Sequence, residues 1–294
     1  MDTQTVSNII QWSVTFPIGV CGIILNLFLL VIVILNRKTL LSSRIDQIYT
    51  LLLTLCLTWS TLSSTKLLVW GTGYGTVLNQ LNAAGSSLPV CTIIGANCLL
   101  AMERYAIVRD AAWVKMRWLF LGVIVLTTGV FGAMVFSFAT SPCSNGIYPD
   151  YMLQRWVWVV SAAVGFLGGF PIIVVSYSLA YVHMRQQLDK AAANHHVNVI
   201  RMAVQRKVLR NSIIMSIGVI GCYLPAWLVI ALVAGGAFQG DLTVTVVTQL
   251  AFAMMLGDVL LTPCLVLHFS MALRTAVLRT FGRRLEEDEE FVML

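Results

Sequence analysis

The sequence predicts an all-α protein: a seven-transmembrane helix bundle with an amphipathic helix lying at the membrane interface after it. Three observations carry this. Seven apolar runs are long enough to cross a bilayer, basic residues gather in alternate connections, and an apolar residue recurs every fourth position after the last run. The composition agrees, with 58% hydrophobic and 11% charged residues and a mean hydropathy of +0.84. Soluble domains carry about 25% charged residues. A water-soluble fold of this length cannot hide so much apolar surface, whereas lipid solvates it.

A spanning helix needs ~20 apolar residues, because each adds ~1.5 Å against a ~30 Å hydrocarbon core. The runs cover about 9–35, 47–70, 78–102, 118–138, 156–183, 210–234 and 242–267. The first has no charge, the second holds only Lys66, and the seventh only Asp258. An odd number of crossings puts the two chain ends on opposite sides. Seventeen of the nineteen basic residues fall after the first, third, fifth and seventh runs, leaving only Lys66 and Arg155 to the other face. The positive-inside rule then places residues 1–8 outside and the C-terminus in the cytoplasm, with 9–268 as the bundle. The plasma membrane is the expected location. Trp12, Trp70, Trp156 and Trp158 fall near the outer interface, and Trp113 and Trp118 near the inner one, a depth that suits amphipathic rings.

After the seventh run, Phe269, Leu273, Val277 and Phe281 repeat at helical spacing among Arg274, Arg279, Arg283 and Arg284. Residues 269–294 therefore read as a cytoplasmic amphipathic helix followed by an acidic tail, Glu286 to Glu290. Gly71 to Thr76 reads as an outer turn. Residues 184–209 read as a long polar cytoplasmic loop, in which His195-His196 is a solvated pair without metal-binding partners. The chain start lacks the basic region of a cleaved signal, so the first run reads as a retained anchor. The net charge of +6 does not indicate nucleic acid, because the basic residues are dispersed between apolar runs. No CxxC spacing occurs among the seven cysteines, and neither a metal nor a cofactor is expected.

Charged and polar residues inside a membrane are costly and mark function. Glu103-Arg104-Tyr105 stands at the inner end of the third run, where an acid beside an arginine can hold the guanidinium in one state and release it in another. Pro171, Pro225 and Pro263 interrupt the fifth, sixth and seventh helices, each removing a backbone hydrogen bond and favouring a pivot. Asn26 and Asp258 form an intramembrane polar pair with one another, a water or a cation to bind.

These residues together resemble the rhodopsin-like G-protein-coupled receptor family. Glu103-Arg104-Tyr105 is similar to its acid-Arg-Tyr triplet, and Cys222-Tyr223-Leu224-Pro225 to its Cys-Trp-x-Pro motif. Thr262-Pro263-Cys264-Leu265-Val266 is similar to its Asn-Pro-x-x-Tyr motif, while Asn26 and Pro171 match its first-helix asparagine and fifth-helix proline. The resemblance spans about 10–285. It implies a receptor that passes an extracellular ligand signal across the lipid bilayer to a heterotrimeric G protein, with no enzymatic activity. It places the ligand among Ser86, Ser87, Val90, Ala163, Tyr223, Trp227 and Phe252. That lining implies a small, neutral or apolar molecule. The position matching the opsin retinal lysine is Leu256, which argues against a Schiff-base chromophore. No carboxylate stands where amine receptors use one, and Lys66 reads as reaching the outer headgroups.

The chain departs from the family pattern in several places. It has no second-helix aspartate, no fourth-helix tryptophan, and no third-helix cysteine to pair with Cys143. Gln205 replaces the sixth-helix acid that holds the triplet arginine. The last change implies a weakened inactive-state lock, so cells displaying the receptor should signal above background without ligand; signalling at background would contradict this. A seven-helix transporter or channel is the competing reading, with Asp258 and Lys66 lining its path. Two intramembrane charges and no repeated half-sequence make a poor carrier. No His-Glu-x-x-His, Gly-x-Ser-x-Gly or paired core aspartates point to an enzyme.

Overall fold

Long apolar runs become helices because hydrocarbon offers no partner to a backbone N–H or C=O, and a helix satisfies both internally. The computed structural model describes residues 3–70, 77–109, 117–142, 149–194, 199–238 and 240–281, and among these every regular element is helical. Seven helices are long and apolar enough to cross a membrane: Thr5–Leu35, Arg44–Thr65, Ala83–Arg109, Leu121–Ala139, Met152–Gln186, Leu209–Val233 and Leu242–Phe269. They are the first to seventh spans below. Each lies over one apolar run of the sequence.

Each span packs on the next in chain order, and the seventh closes the ring against the first. The third also packs on the fifth and sixth. It is the central strut: 73% of its apolar window is buried, against 28% for the fourth. The first span buries Leu29, Ile32 and Val33 while Leu27, Val31 and Ile34 face outward. Over residues 27–34 both faces are equally greasy, so packing and not hydropathy chooses the inward one there. At Gly22 the first span packs tightly against two neighbours at once. A Cβ there would meet Ser60 Oγ and Val259 Cγ2, both at 2.5 Å.

Two proline effects were not anticipated from the sequence. Pro17 stands at the start of the helix Phe16–Leu35, and just before it lies a π-helical turn, Gln11–Thr15, in which Phe16 N–H donates to Gln11 O. A proline removes a ladder bond and crowds the preceding turn, which the wider π turn accommodates. Pro89 lies inside the third-span helix Val77–Arg109.

The seventh span divides at Gly257, between helices Asp241–Leu256 and Asp258–Phe269. The sequence places the interruption at Pro263, but the helix runs on through that residue. The carbonyl that Pro263 leaves without a donor is that of Val259, four residues earlier, and Asn26 Nδ2 donates to it at 2.9 Å. The first span thus supplies the hydrogen bond that the proline removes.

The expected long loop at 184–209 is mostly helix. The fifth span continues as Met152–Asn194, and the sixth belongs to Val199–Ala234. The stretch is rich in Ala, Gln, Leu, Arg and Lys, whose helix propensity outweighs the polarity that suggested a loop. Trp12, Trp118 and Trp156 are exposed, as expected of interfacial rings. Trp158 is instead buried, packed edge-on against Phe138 at 6.5 Å. After the seventh span, Ser270 is extended and caps Met271–Thr280 by accepting from Leu273 N at 3.2 Å. That helix buries Leu273 and Ala276, and Phe281 beyond it meets Phe28 of the first span at 5.9 Å. Gly71 to Thr76, Trp113, Cys143, His195-His196 and the acidic tail lie outside the described residues, as do the side chains of Lys66, Trp70, Ser86, Ser87 and Gln205.

Candidate functional site

The break at Gly257 sets Asp258 at the first position of a helix, wholly buried in the bundle. A carboxyl there must find donors, since burial without them is costly. Thr262, one turn on, donates its hydroxyl to Asp258 Oδ1 at 2.7 Å, and Tyr223 of the sixth span donates to Oδ2 at 3.2 Å. No cationic side chain pairs with Asp258 among the described residues. Asn26 lies next to this centre without bonding Asp258: its amide nitrogen donates to Gly22 O at 2.8 Å and to Val259 O. The expected polar pair is therefore a relay through the backbone of the adjacent residue. It joins the first, sixth and seventh spans at one level.

An aromatic cluster covers the Tyr223 side of the relay. Trp59 of the second span stacks on Tyr223 at 5.7 Å and meets Phe252 edge-on at 6.5 Å. Phe166 of the fifth span lies 6.3 Å from Tyr223 and 5.6 Å from Trp227. Rings so arranged bury large areas and resist independent movement. A displacement of Phe166 therefore presses on Tyr223 and, through its hydroxyl, on Asp258. Trp59 and Phe166 did not stand out in the sequence, because a lone aromatic in an apolar run carries no mark of what it touches.

The third-span triplet is tied to the second span. Glu103 is 6% exposed, and its Oε1 lies 3.8 Å from Arg44 Nη1. Arg104 Nη2 donates to the Tyr49 hydroxyl at 3.5 Å. Tyr105 stacks on His183 of the fifth span at 6.0 Å, and Arg109 Nη1 donates to the Tyr105 hydroxyl at 3.1 Å. Arg44 and Tyr49 were not foreseen as partners, since contacts between spans leave no trace in either span's local pattern.

The remaining predicted residues separate. A cleft between the third, fourth and fifth spans is lined by Val90, Ile94, Cys98, Leu126, Phe166 and Ile172 among others. Of the expected ligand residues it includes Val90, while Trp227 and Phe252 belong to the aromatic cluster, and Ala163 is half-buried beside the cleft residue Ala162. Pro171 and Pro225 lie inside continuous helices with their rings exposed on the outer surface. Thr262 and Pro263 are buried within the relay. No group of three or more metal-binding side chains occurs among the described residues.

The chain is similar to the crystal structure of squid rhodopsin, with a TM-score of 0.73 over 94% of this chain and 86% of that one, at 15% identity. No family model and no curated protein matches the sequence. At that identity the likeness is one of fold: seven apolar helices in the ring of a rhodopsin, in a multi-pass membrane protein.

Proposed function

We propose that this chain is a receptor of the rhodopsin-like, G-protein-coupled kind, passing the binding of a small neutral or apolar ligand to a heterotrimeric G protein at the plasma membrane. The observation that carries the reading is the latching of Glu103 and Arg104 to Arg44 and Tyr49. Both charges at the end of the central strut reach the second span, and both of these contacts are long. Hydrogen bonds weaken at such distances, so a partner offering better geometry can take Arg104 over. The relay from Phe166 through Tyr223 to Asp258 supplies a path from the ligand into the centre of the bundle. An apolar ligand in the cleft beside Phe166 would act on it directly. The sequence places the triplet on the cytoplasmic side, where the G protein is.

The test is nucleotide exchange on a panel of G proteins in nanodiscs, comparing the wild type with Arg104→Ala. The variant should lose exchange by about tenfold or more. Equal exchange by both removes the arginine latch and leaves the fold untouched. Solute or ion flux through the purified protein in liposomes, with no exchange on any G protein, would replace the receptor reading by a carrier.

A further inference from the structure

The first span turns a polar stripe into the bundle. Ser7, Gln11 and Thr15 follow at four-residue steps and are 3%, 2% and 3% exposed, and Gly19, Gly22 and Asn26 continue the buried line. Ile9, Trp12, Ile24 and Leu27 face outward. In an unbroken α-helix, steps of four residues drift by about 40° each. The wider π turn at Gln11–Thr15 recovers part of that drift, so the stripe keeps to one face.

Two contacts fix what the stripe faces. At one end Gln249 Nε2 of the seventh span donates to Ser7 Oγ at 3.2 Å. At the other, Ser64 Oγ of the second span stands against Gly19 and Ser60 Oγ against Gly22. Gln11 and Thr15 lie between these contacts, on a π turn that packs on both the second and seventh spans. Along this seam five buried atoms have no hydrogen-bond partner among the described residues: Gln11 Nε2 and Oε1, Gln249 Oε1, Thr15 Oγ1 and Ser64 Oγ. Asn26 Oδ1 adds a sixth at the deep end, near Asp258. Buried polar groups in proteins are almost always bonded to protein or to ordered water. The seam offers donors and acceptors together, and the first span carries no charged residue from Ser7 to Gly22. Its occupant therefore both gives and takes hydrogen bonds.

We infer that the seam between the first, second and seventh spans is a hydrated recess, in which a file of water molecules runs from the Ser7–Gln249 end toward Asn26. This adds to the receptor reading without resting on it. It gives solvent a route toward the relay that is separate from the apolar cleft beside Phe166.

The test uses the full chain in nanodiscs, where both faces meet solvent and the orientation in the membrane does not matter. Thr15→Cys, Ser64→Cys and the outward-facing control Leu27→Cys are exposed to hydroxyl radicals generated from water by a brief X-ray pulse, and oxidised side chains at these positions are counted by peptide mass. The radical is water-sized and forms where water stands, so the seam positions should be oxidised about tenfold or more faster than Leu27→Cys. Rates equal to the control overturn the inference. A second measurement needs no reagent. Thr15→Val keeps shape and removes the hydroxyl, so a hydrated seam loses a bridge and the unfolding midpoint falls by about 2–4 °C. An unchanged or raised midpoint means that the hydroxyl had no partner to lose, and also overturns it.

Discussion

Asp258→Ala should lower the unfolding midpoint of the protein in nanodiscs by about 4–8 °C, from a loss of about 2 kcal/mol. The carboxyl accepts from two hydroxyls, and they do not suffer equally when it is removed. Thr262 sits one turn along the same helix and can turn to the carbonyl of residue 258, as Thr248 does to Val244 O. Tyr223 is 0% exposed and comes from another span, so its hydroxyl is left buried without its acceptor. Leaving one partner of a buried hydrogen bond is worse than losing both. Adding Tyr223→Phe to Asp258→Ala should therefore recover most of the lost midpoint, and Asp258→Asn, which keeps an acceptor oxygen, should lose less than half as much as Asp258→Ala. Additive losses in the double variant would show that Tyr223 and Asp258 are not coupled.

Gly22→Ala should reduce the folded yield several-fold and cost about 1–3 kcal/mol, an overpacking effect out of proportion to one methyl group. The new Cβ meets Ser60 Oγ and Val259 Cγ2 at 2.5 Å. Neither gives way readily. The Ser60 hydroxyl is bonded to Cys56 O at 2.7 Å, and valine is stiff at χ1 in a helix. The first span must then move off, and this draws Asn26 away from the Val259 carbonyl that Pro263 has left without its own donor. Gly122→Ala and Gly129→Ala are the controls. A Cβ at either meets nothing within 4 Å, so each should be neutral or gain up to ~1 kcal/mol of helix propensity. Equal behaviour of all three variants would contradict close packing at Gly22.

The candidate site was partly legible before the fold was known. Asn26, Asp258, Thr262, Pro263 and Tyr223 stood out as polar groups or prolines in apolar runs, and the structure gathers all five at one level. The pairing within the group was not legible. Asn26 bonds a backbone carbonyl beside Asp258, and a side chain's choice of carbonyl on another span depends on register. Gln11 was hidden for a different reason. One glutamine in a run of apolar residues hardly alters hydropathy, and its importance rests on neighbours in the second and seventh spans. The loop expected at 184–209 failed because polarity was read as solvent exposure, when the same residues extend helices beyond the bilayer.

What the sequence determined alone was the number of spans, their approximate limits and the amphipathic helix that follows them. These rest on local physics, since a helix in lipid bonds its own backbone and needs only enough apolar length. Where a helix is apolar all round, as at residues 27–34, the face that turns inward was decided by the tertiary structure. Lipid is as apolar as the core, so hydropathy gives the two faces of such a stretch no different preference, and close approach at Gly22 with bonds such as Asn26 to Val259 selects one of them.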